Sequence, residues 1–319
     1  MKVLMVRPYH FYGTVISSTM MNGEAHMAKI GRFRNAQAKR DFLHAYDEAA
    51  ARWAVPATDI DVETPFGTTR VRKSGSGEGA PIVLLPGIGG NGMVWHRFIE
   101  DLSRDHVVYT PDVMGWAGRC EQTAPLRDAE DIANWMVAVL DGLGEDRVHI
   151  AGNSYGAWLA GVVAVYHSDR LASLTMFEPS GATFAKPSWG LLFKFLKAGL
   201  RQTPEGLRKL NKWLMPGYEL DDREMAVAMA ILKFRSGVPW DRPFTDEQLT
   251  AITAPSLILF GADTVVSDPV HGTARAHEFI PTVEVESYPG IGHDLLWTNP
   301  DQVIPRFLGF VEQHDQVRA

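Results

Sequence analysis

The sequence predicts an α/β fold, a mostly parallel central sheet flanked by helices and interrupted once by a helical cap. Three observations carry this reading. Five apolar runs, PIVLLPG, HVVYTPD, RVHIAGN, LASLTMFEP and PSLILFGAD, are continuous rather than alternating, as expected of strands buried on both faces of a parallel sheet. Helical patterns lie between them, which makes βαβ units. Between Ser180 and about Leu249 no strand candidate occurs, only amphipathic helix patterns cut by Pro204, Pro216, Gly217 and Pro239.

Taken in order, residues 1–35 are polar, carry Met20, Met21 and Met27, and show little apolar periodicity, so they are expected to form an N-terminal arm with no assigned role. From Ala36 to Val55 the apolar residues Phe42, Leu43, Tyr46, Ala49, Ala50 and Trp53 recur at helical spacing, and Pro56 closes the segment. DIDVETPFGTTRVRKSG alternates as two strands around Phe66-Gly67, a hairpin. After two of the apolar runs comes DAEDIANWMVAVLDGLG, a helix with Asp128 or Asp131 near its start and Gly142 or Gly144 at its end. RVHIAGN then leads directly into a small-residue helix, and LASLTMFEP follows as the next strand. WGLLFKFLKAGL, EGLRKLNKWLM and REMAVAMAILKF are the cap helices; PSLILFGAD and TVEVESYPG are the last strands before a closing helix. The expected organisation is an arm over 1–35, a core over 36–180 and 250–319, and a cap over 181–249.

Composition narrows the partners. The chain has 319 residues, of which 45% are hydrophobic and 22% charged, enough for one large α/β domain with an insertion. A net charge of -7 argues against nucleic acid and against an anionic membrane, both of which need clustered Lys and Arg. Cys120 is the only cysteine, so no internal disulfide and no Cys-based zinc site is expected, and a reducing compartment follows. No apolar run approaches the roughly 18 residues a membrane helix needs, and the N-terminus lacks a signal-peptide pattern. These observations predict a cytoplasmic protein, a monomer or homodimer, acting on a small molecule without metal or cofactor.

The chemistry concentrates at the corner after RVHIAGN. Gly152-Asn153-Ser154-Tyr155-Gly156 follows a strand and opens a helix, the pattern of a nucleophile elbow, in which a tight turn lifts a serine hydroxyl above the sheet. The glycines suit the close backbone crossing, and the helix N-terminus aims N–H groups at an incoming oxyanion. The hydroxyl needs a base, which in such chains follows both nucleophile and acid. Of 11 histidines, His293 in YPGIGHDLLWTNP has that position, after the last strand and in a glycine-flexed loop, while His26, His96, His167 and His277 read as surface or packing residues. Backbone donors for an oxyanion are expected from Tyr155, just after the nucleophile, and Ile88 in LLPGIGGNGMVW; Gly87 is expected to let a substrate carbonyl approach.

With these residues assembled, the chain from about Ala36 to its end resembles the α/β-hydrolase superfamily, and within it the bacterial serine carboxylesterases. VLLPGIGGNGMVW, PDVMGWAGRC, VHIAGNSYGAWLA and FTDEQLTAITAPSLILFGADTVVSDP carry the resemblance. It implies the α/β-hydrolase fold with a Ser154–His293 pair and an acid. Three positions depart from the pattern. Pro86 stands where the family commonly has histidine, Cys120 stands where it has serine, and Thr264 occupies the usual acid position, three residues after Gly261. Two carboxylates could replace that acid: Asp263 on the same loop, and Glu178 at the end of the strand after the nucleophile, as in relatives that move the acid there. Glu178 is favoured because a strand end aims it rigidly; Asp268 is a weaker third choice, expected to cap the next helix.

The resemblance implies hydrolysis of a carboxylic ester, lactone or thioester through an acyl-enzyme on Ser154. Trp189, Phe193, Trp213, Met225, Met229 and Phe234 of the cap are expected to line a pocket for a medium-sized hydrophobic substrate. The alternative, motivated by Thr264, is a lyase, cyclase or acyltransferase on the same scaffold; a ligand-binding module without catalysis is a third reading that an intact Ser154 and His293 disfavour.

Overall fold

In the computed structural model, described over residues 29–186, 189–191, 194 and 202–315, the strands are β1 (Arg32–Phe33), β2 (Ala57–Thr64), β3 (Gly67–Ser74), β4 (Ile82–Leu85), β5 (Val108–Pro111), β6 (Glu121–Gln122), β7 (Val148–Asn153), β8 (Leu171–Phe177), β9 (Phe234–Arg235), β10 (Ser256–Gly261) and β11 (Val283–Tyr288). The main sheet runs β11-β10-β8-β7-β4-β5-β3-β2, with β6 on the edge of β3. From β5 across to β11 every pairing is parallel. The hairpin β2–β3 joins antiparallel to β5, with Thr64 opposite Gly67. Gly67 there takes φ +124°, which a glycine adopts without a Cβ penalty.

The continuous apolar runs are explained by burial on both faces. In β4, Val83 and Leu85 enter one cluster with Trp135, Met136 and Trp158, while Ile82 and Leu84 enter the opposite cluster with Trp95, Phe307 and Phe310. In β10, Ile258 and Phe260 join the first cluster, and Leu257 and Leu259 the second. Among the major helices, α1 is Ala36–Ala50, α2 Ala129–Leu143, α3 Tyr155–Tyr166, α4 Pro204–Leu214, α5 Asp222–Ile231, α6 Pro269–Phe279 and α7 Pro300–His314. Helix α2 starts on an Asp128 side-chain cap and ends on Gly144 in the left-handed conformation. Buried residues of α2, α3 and α6 cover the first face of the sheet, and those of α7 cover the second.

Two features were not anticipated. The segment 181–249, read as free of strands, contributes β9, which pairs antiparallel with β1 through Phe33 opposite Phe234. A two-residue strand that exists only because a distant partner meets it has no sequence period of its own. Helix α1, assigned to the core, packs across to α5: Phe42 and Tyr46 cluster with Ala230 and Phe234. Residues 1–28 and most of WGLLFKFLKAGL lie outside the described residues. Among the described residues no helix is long and apolar enough to cross a membrane.

His149 of β7 is fully buried at the sheet end remote from Ser154, its Nδ1 2.7 Å from the Ser173 hydroxyl and its Nε2 3.6 Å from Asp315. Burial, reinforced by His106 and His314 and opposed by Asp315, holds its pKa down at about 4. The imidazole therefore stays neutral when folded and gains a proton on unfolding below its ordinary value. Its stabilisation is fully present above about pH 6.5 and is lost as pH falls towards 4, about 3 kcal/mol in all. Thermal melts at pH 7 and pH 4.5 check this: H149Q is expected to lose less Tm between the two than the wild type.

Candidate active site

The corner at Ser154 is built from two backbone contacts that glycine alone permits. A Cβ on Gly156 would lie 2.3 Å from the Leu85 carbonyl oxygen and 2.5 Å from that of Pro86, so α3 crosses directly against the end of β4. A Cβ on Gly152 would lie 2.1 Å from the Gly156 carbonyl oxygen. The chain thus turns from strand to helix within its own contact distance, and Ser154 takes φ 55°, ψ −116°. Two hydrogen bonds hold that conformation: the Ser154 N–H donates to Phe177 O at 2.9 Å, and Ser180 N–H donates to Ser154 O at 3.2 Å. Non-glycine residues at positive φ are costly, of order 1–3 kcal/mol each, and tend to collect at functional sites. Among the described residues there are two, Ser154 and Glu178.

Glu178 is the first residue past β8, and its N–H donates to Leu259 O of β10 at 2.8 Å. Its side chain is completely buried. One carboxylate oxygen accepts from the Gly261 N–H. The other lies 3.1 Å from His293 Nδ1, and His293 Nε2 lies 3.0 Å from Ser154 Oγ. A carboxylate can only accept, so the Nδ1 proton points at Glu178 and the Nε2 lone pair is left for the serine hydroxyl. His293 is 7% exposed, close enough to the surface for substrate but shielded from bulk water.

The other candidate acids sit elsewhere. Asp263 is exposed on the loop after β10, its N–H bonded to Ile291 O at 2.9 Å, and its carboxylate makes no hydrogen bond to His293. Asp268 caps α6, accepting from His271 N–H at 3.0 Å. The geometry therefore joins Ser154, His293 and Glu178 and leaves Asp263 outside. The sequence did not disclose the Gly261 N–H that braces Glu178, because a backbone donor has no residue signature.

The glycine loop after β4 faces the corner. A Cβ on Gly87 would sit 3.5 Å from Ser154 Cβ, and the loop is closed by a Gly90 N–H to Gly87 O bond at 2.9 Å. Ile88 lies at the exposed tip of that turn. Tyr155 is the first residue of α3, where a backbone N–H has no acceptor within the helix. Asp112 fixes the far end of the loop from below, accepting from Gly92 N–H at 2.9 Å and Arg119 N–H at 2.7 Å; burial pushes its carboxyl above the usual range. The Cys120 thiol donates to Asp112 O at 3.2 Å, a packing role. Ser180 also donates from its hydroxyl to Asp241, another carboxyl that burial raises. Among the described residues no group of His, Cys, Asp and Glu is arranged to hold a metal.

The expected pocket lining divides. Phe193 lies outside the described residues. Trp189 is 78% exposed, a surface position. Phe234 is buried against Phe33, ring centroids 4.8 Å apart, and serves the β1–β9 ribbon instead of a ligand wall. Trp213 is half-buried beneath the Lys194 ammonium, 4.3 Å from its ring. Met225 is buried and Met229 half-buried on α5. Among the described residues, a cap residue beside the glycine loop is Ile231, which sequence reasoning passed over: a Cβ on Gly89 would lie 3.5 Å from its Cγ2.

Residues 82–306 match the model of the alpha/beta hydrolase family. The uncharacterized carboxylesterase nap of Bacillus subtilis (strain 168) is 28% identical over 284 residues, covering 84% of this chain and 91% of its own. The carboxylesterase YbfK of the same organism is 24% identical over 281 residues, 85% and 93% of the two chains. The crystal structure of naproxen esterase (carboxylesterase NP) from Bacillus subtilis superposes with a TM-score of 0.79 at 26% identity, over 87% of this chain and 99% of that one.

The crossing at Gly156 has a direct check. G156A is expected to cost roughly 1–3 kcal/mol in a denaturant melt, the usual penalty for overpacking, and to lose activity by more than its folded fraction falls.

Proposed function

The chain belongs to the alpha/beta hydrolase family and is a carboxylesterase-like hydrolase; on that premise we propose that it cleaves carboxylic esters through an acyl-enzyme on Ser154. The observation that carries this reading is the relay of hydrogen bonds, 3.0 Å from Ser154 Oγ to His293 Nε2 and 3.1 Å from His293 Nδ1 to Glu178. Ser154 Oγ attacks the substrate carbonyl carbon while His293 Nε2 takes the hydroxyl proton. The tetrahedral oxyanion is received by the N–H groups of Ile88 and Tyr155, each such donor being worth about 2.7–4 kcal/mol of barrier. His293 returns the proton to the departing alkoxide. Water, deprotonated by the same nitrogen, then attacks the acyl-enzyme and frees Ser154.

Glu178 is the acid in this scheme. The imidazolium formed at each step is a charge in a nearly closed site, and a buried counter-charge at its Nδ1 offsets the cost of removing it from water. Gly261 N–H keeps that carboxylate from rotating away. Thr264, whose hydroxyl accepts from Val266 N–H at 3.4 Å, has no place in the relay. Because Glu178 supplies the acid that Thr264 lacks, the motive for a lyase, cyclase or acyltransferase reading weakens, and water is taken as the acceptor. The names of the relatives support ester hydrolysis; the apolar Ile231 of the cap, beside the glycine loop, supports a medium-sized hydrophobic acyl or alcohol group. No cofactor takes part.

Hydrolysis of a p-nitrophenyl ester series tests this, with mass spectrometry of a phosphonyl adduct on Ser154. S154A is expected to lose turnover by on the order of 10³ or more, and E178Q by on the order of 10² or more, while D263N stays within about twofold of wild type. Adduct formation on Ser154 without turnover would transfer the reading to the non-hydrolytic alternative. For the substrate, medium-length acyl or aryl esters are expected to exceed acetyl esters about tenfold in kcat/KM, about 1.4 kcal/mol of barrier; the reverse order would reject the hydrophobic-pocket reading.

A further inference from the structure

Asp294, next to His293, is 2% exposed and is used by none of the steps above. Its Oδ2 accepts from the Gly217 N–H at 2.7 Å, a bond between residues 77 apart in the chain. Gly217 belongs to the turn joining α4 to α5, so the bond ties the cap directly to the histidine loop. The main chain of Asp294 is held independently, because its carbonyl accepts from Trp297 N–H and Thr298 N–H, both at 2.9 Å.

The fit on either side of this bond is tight. A Cβ on Gly217 would lie 2.7 Å from Thr298 Cγ2 and 2.9 Å from Asp294 Oδ2. On the other side, a Cβ on Gly292 would lie 3.2 Å from Asp294 Oδ1 and 3.5 Å from Pro216 Cδ. The Asp294 carboxylate is thus wedged between the cap turn and the residue that precedes the histidine.

The cap turn is itself anchored. Asn211 Nδ2 donates to Tyr218 O at 2.6 Å, Tyr218 OH donates to Glu224, and Arg97 holds Glu224 at 3.0 Å. Tyr218 lies against Trp297, ring centroids 6.0 Å apart, within the segment that follows His293. A rigid turn, a carboxylate strut and the histidine loop therefore form one continuous support.

We propose that Asp294 is a positioning residue, whose hydrogen bond to Gly217 N–H registers the cap turn Pro216–Tyr218 against the histidine loop and sets the reach of His293 for Ser154. The proposal rests on the reading of Ser154 and His293 as nucleophile and base. A carboxylate accepting from a backbone N–H makes one of the stronger hydrogen bonds available, and a buried carboxylate that loses its donor pays a desolvation penalty that favours rearrangement of the loop. Displacements near 1 Å in a catalytic group cost about 10²-fold in rate, so small movements of this loop are visible in kinetics.

The test compares wild type, D294A, D294N and G217A by Tm, by kcat and KM on a p-nitrophenyl ester, and by the rate at which a fluorophosphonate labels Ser154. D294A is expected to slow labelling and kcat at least about tenfold, with KM changed less than about threefold. D294N keeps an oxygen acceptor for the Gly217 N–H and is expected to recover to within about threefold of wild type. G217A carries the test if D294A fails to fold: it leaves Asp294 in place but pushes on its Oδ2, and is expected to slow labelling at least about threefold. Wild-type labelling and kcat in a folded D294A or G217A would overturn the proposal, whatever the Tm. So would a D294N as slow as D294A, which would make the charge, and not the bond to the cap, the active feature. Wild type that labels but does not turn over ester would overturn ester hydrolysis alone, since labelling still reads the effect of Asp294; wild type that does not label at all would overturn both.

Discussion

The close crossing of α3 over the end of β4 is the constraint on which the rest of the site depends. Gly156 lies against the carbonyls of Leu85 and Pro86, and Gly152 against the carbonyl of Gly156. That crossing forces Ser154 to positive φ, and the hydrogen bonds from Ser154 N–H to Phe177 O and from Ser180 N–H to Ser154 O keep it there. The same pair of bonds links the ends of β7 and β8, so the strain at Ser154 is held by the sheet that carries Glu178. With its carbonyl and N–H already used, Ser154 has its Cα–Cβ direction set by the backbone, and χ1 alone is left to bring Oγ to His293 Nε2.

Burial decides how the partners of Ser154 must be arranged. Glu178 is fully enclosed, and both its oxygens have donors, one from Gly261 and one from His293. An enclosed carboxylate with one oxygen unpaired would be costly, so the position of β10, which brings Gly261 to Glu178, is part of the site as much as the histidine loop is. Glu178 itself is at positive φ, and its N–H is taken by Leu259 O. Three adjacent parallel strands, β7, β8 and β10, thus present Ser154, Glu178 and Gly261 from their C-terminal ends, which is where open α/β sheets place their ligands.

The cap is bound to the core on two sides. At one end α1, β1 and β9 assemble a small apolar cluster around Phe33, Phe42 and Phe234. At the other, the turn after α4 meets the histidine loop through Asp294 and Trp297. The glycine loop is reached from α5, the helix after that turn, through Ile231. This segment therefore touches both the glycine loop and the histidine loop, the two loops on which the proposed chemistry depends.

The sequence by itself determined what local periodicity and backbone chemistry can specify. Apolar runs identified the strands of the parallel sheet because burial on both faces removes alternation, and the ends of α2 were bracketed by Asp128 or Asp131 and by Gly142 or Gly144 because caps act within one turn, the structure taking Asp128 and Gly144. Gly152-x-Ser154-x-Gly156 announced its corner because a Cβ at either glycine would lie near 2 Å from a backbone carbonyl oxygen. Chain order singled out His293. Features that depend on a distant partner could not be read this way. The choice between Glu178 and Asp263 turns on which carboxylate faces His293 across 115 residues, the β1–β9 ribbon exists only where two remote segments meet, and the fates of Trp189 and Phe234 depend on what surrounds them. Hydrophobicity reports that a side chain prefers to be buried; only the tertiary structure decides against what.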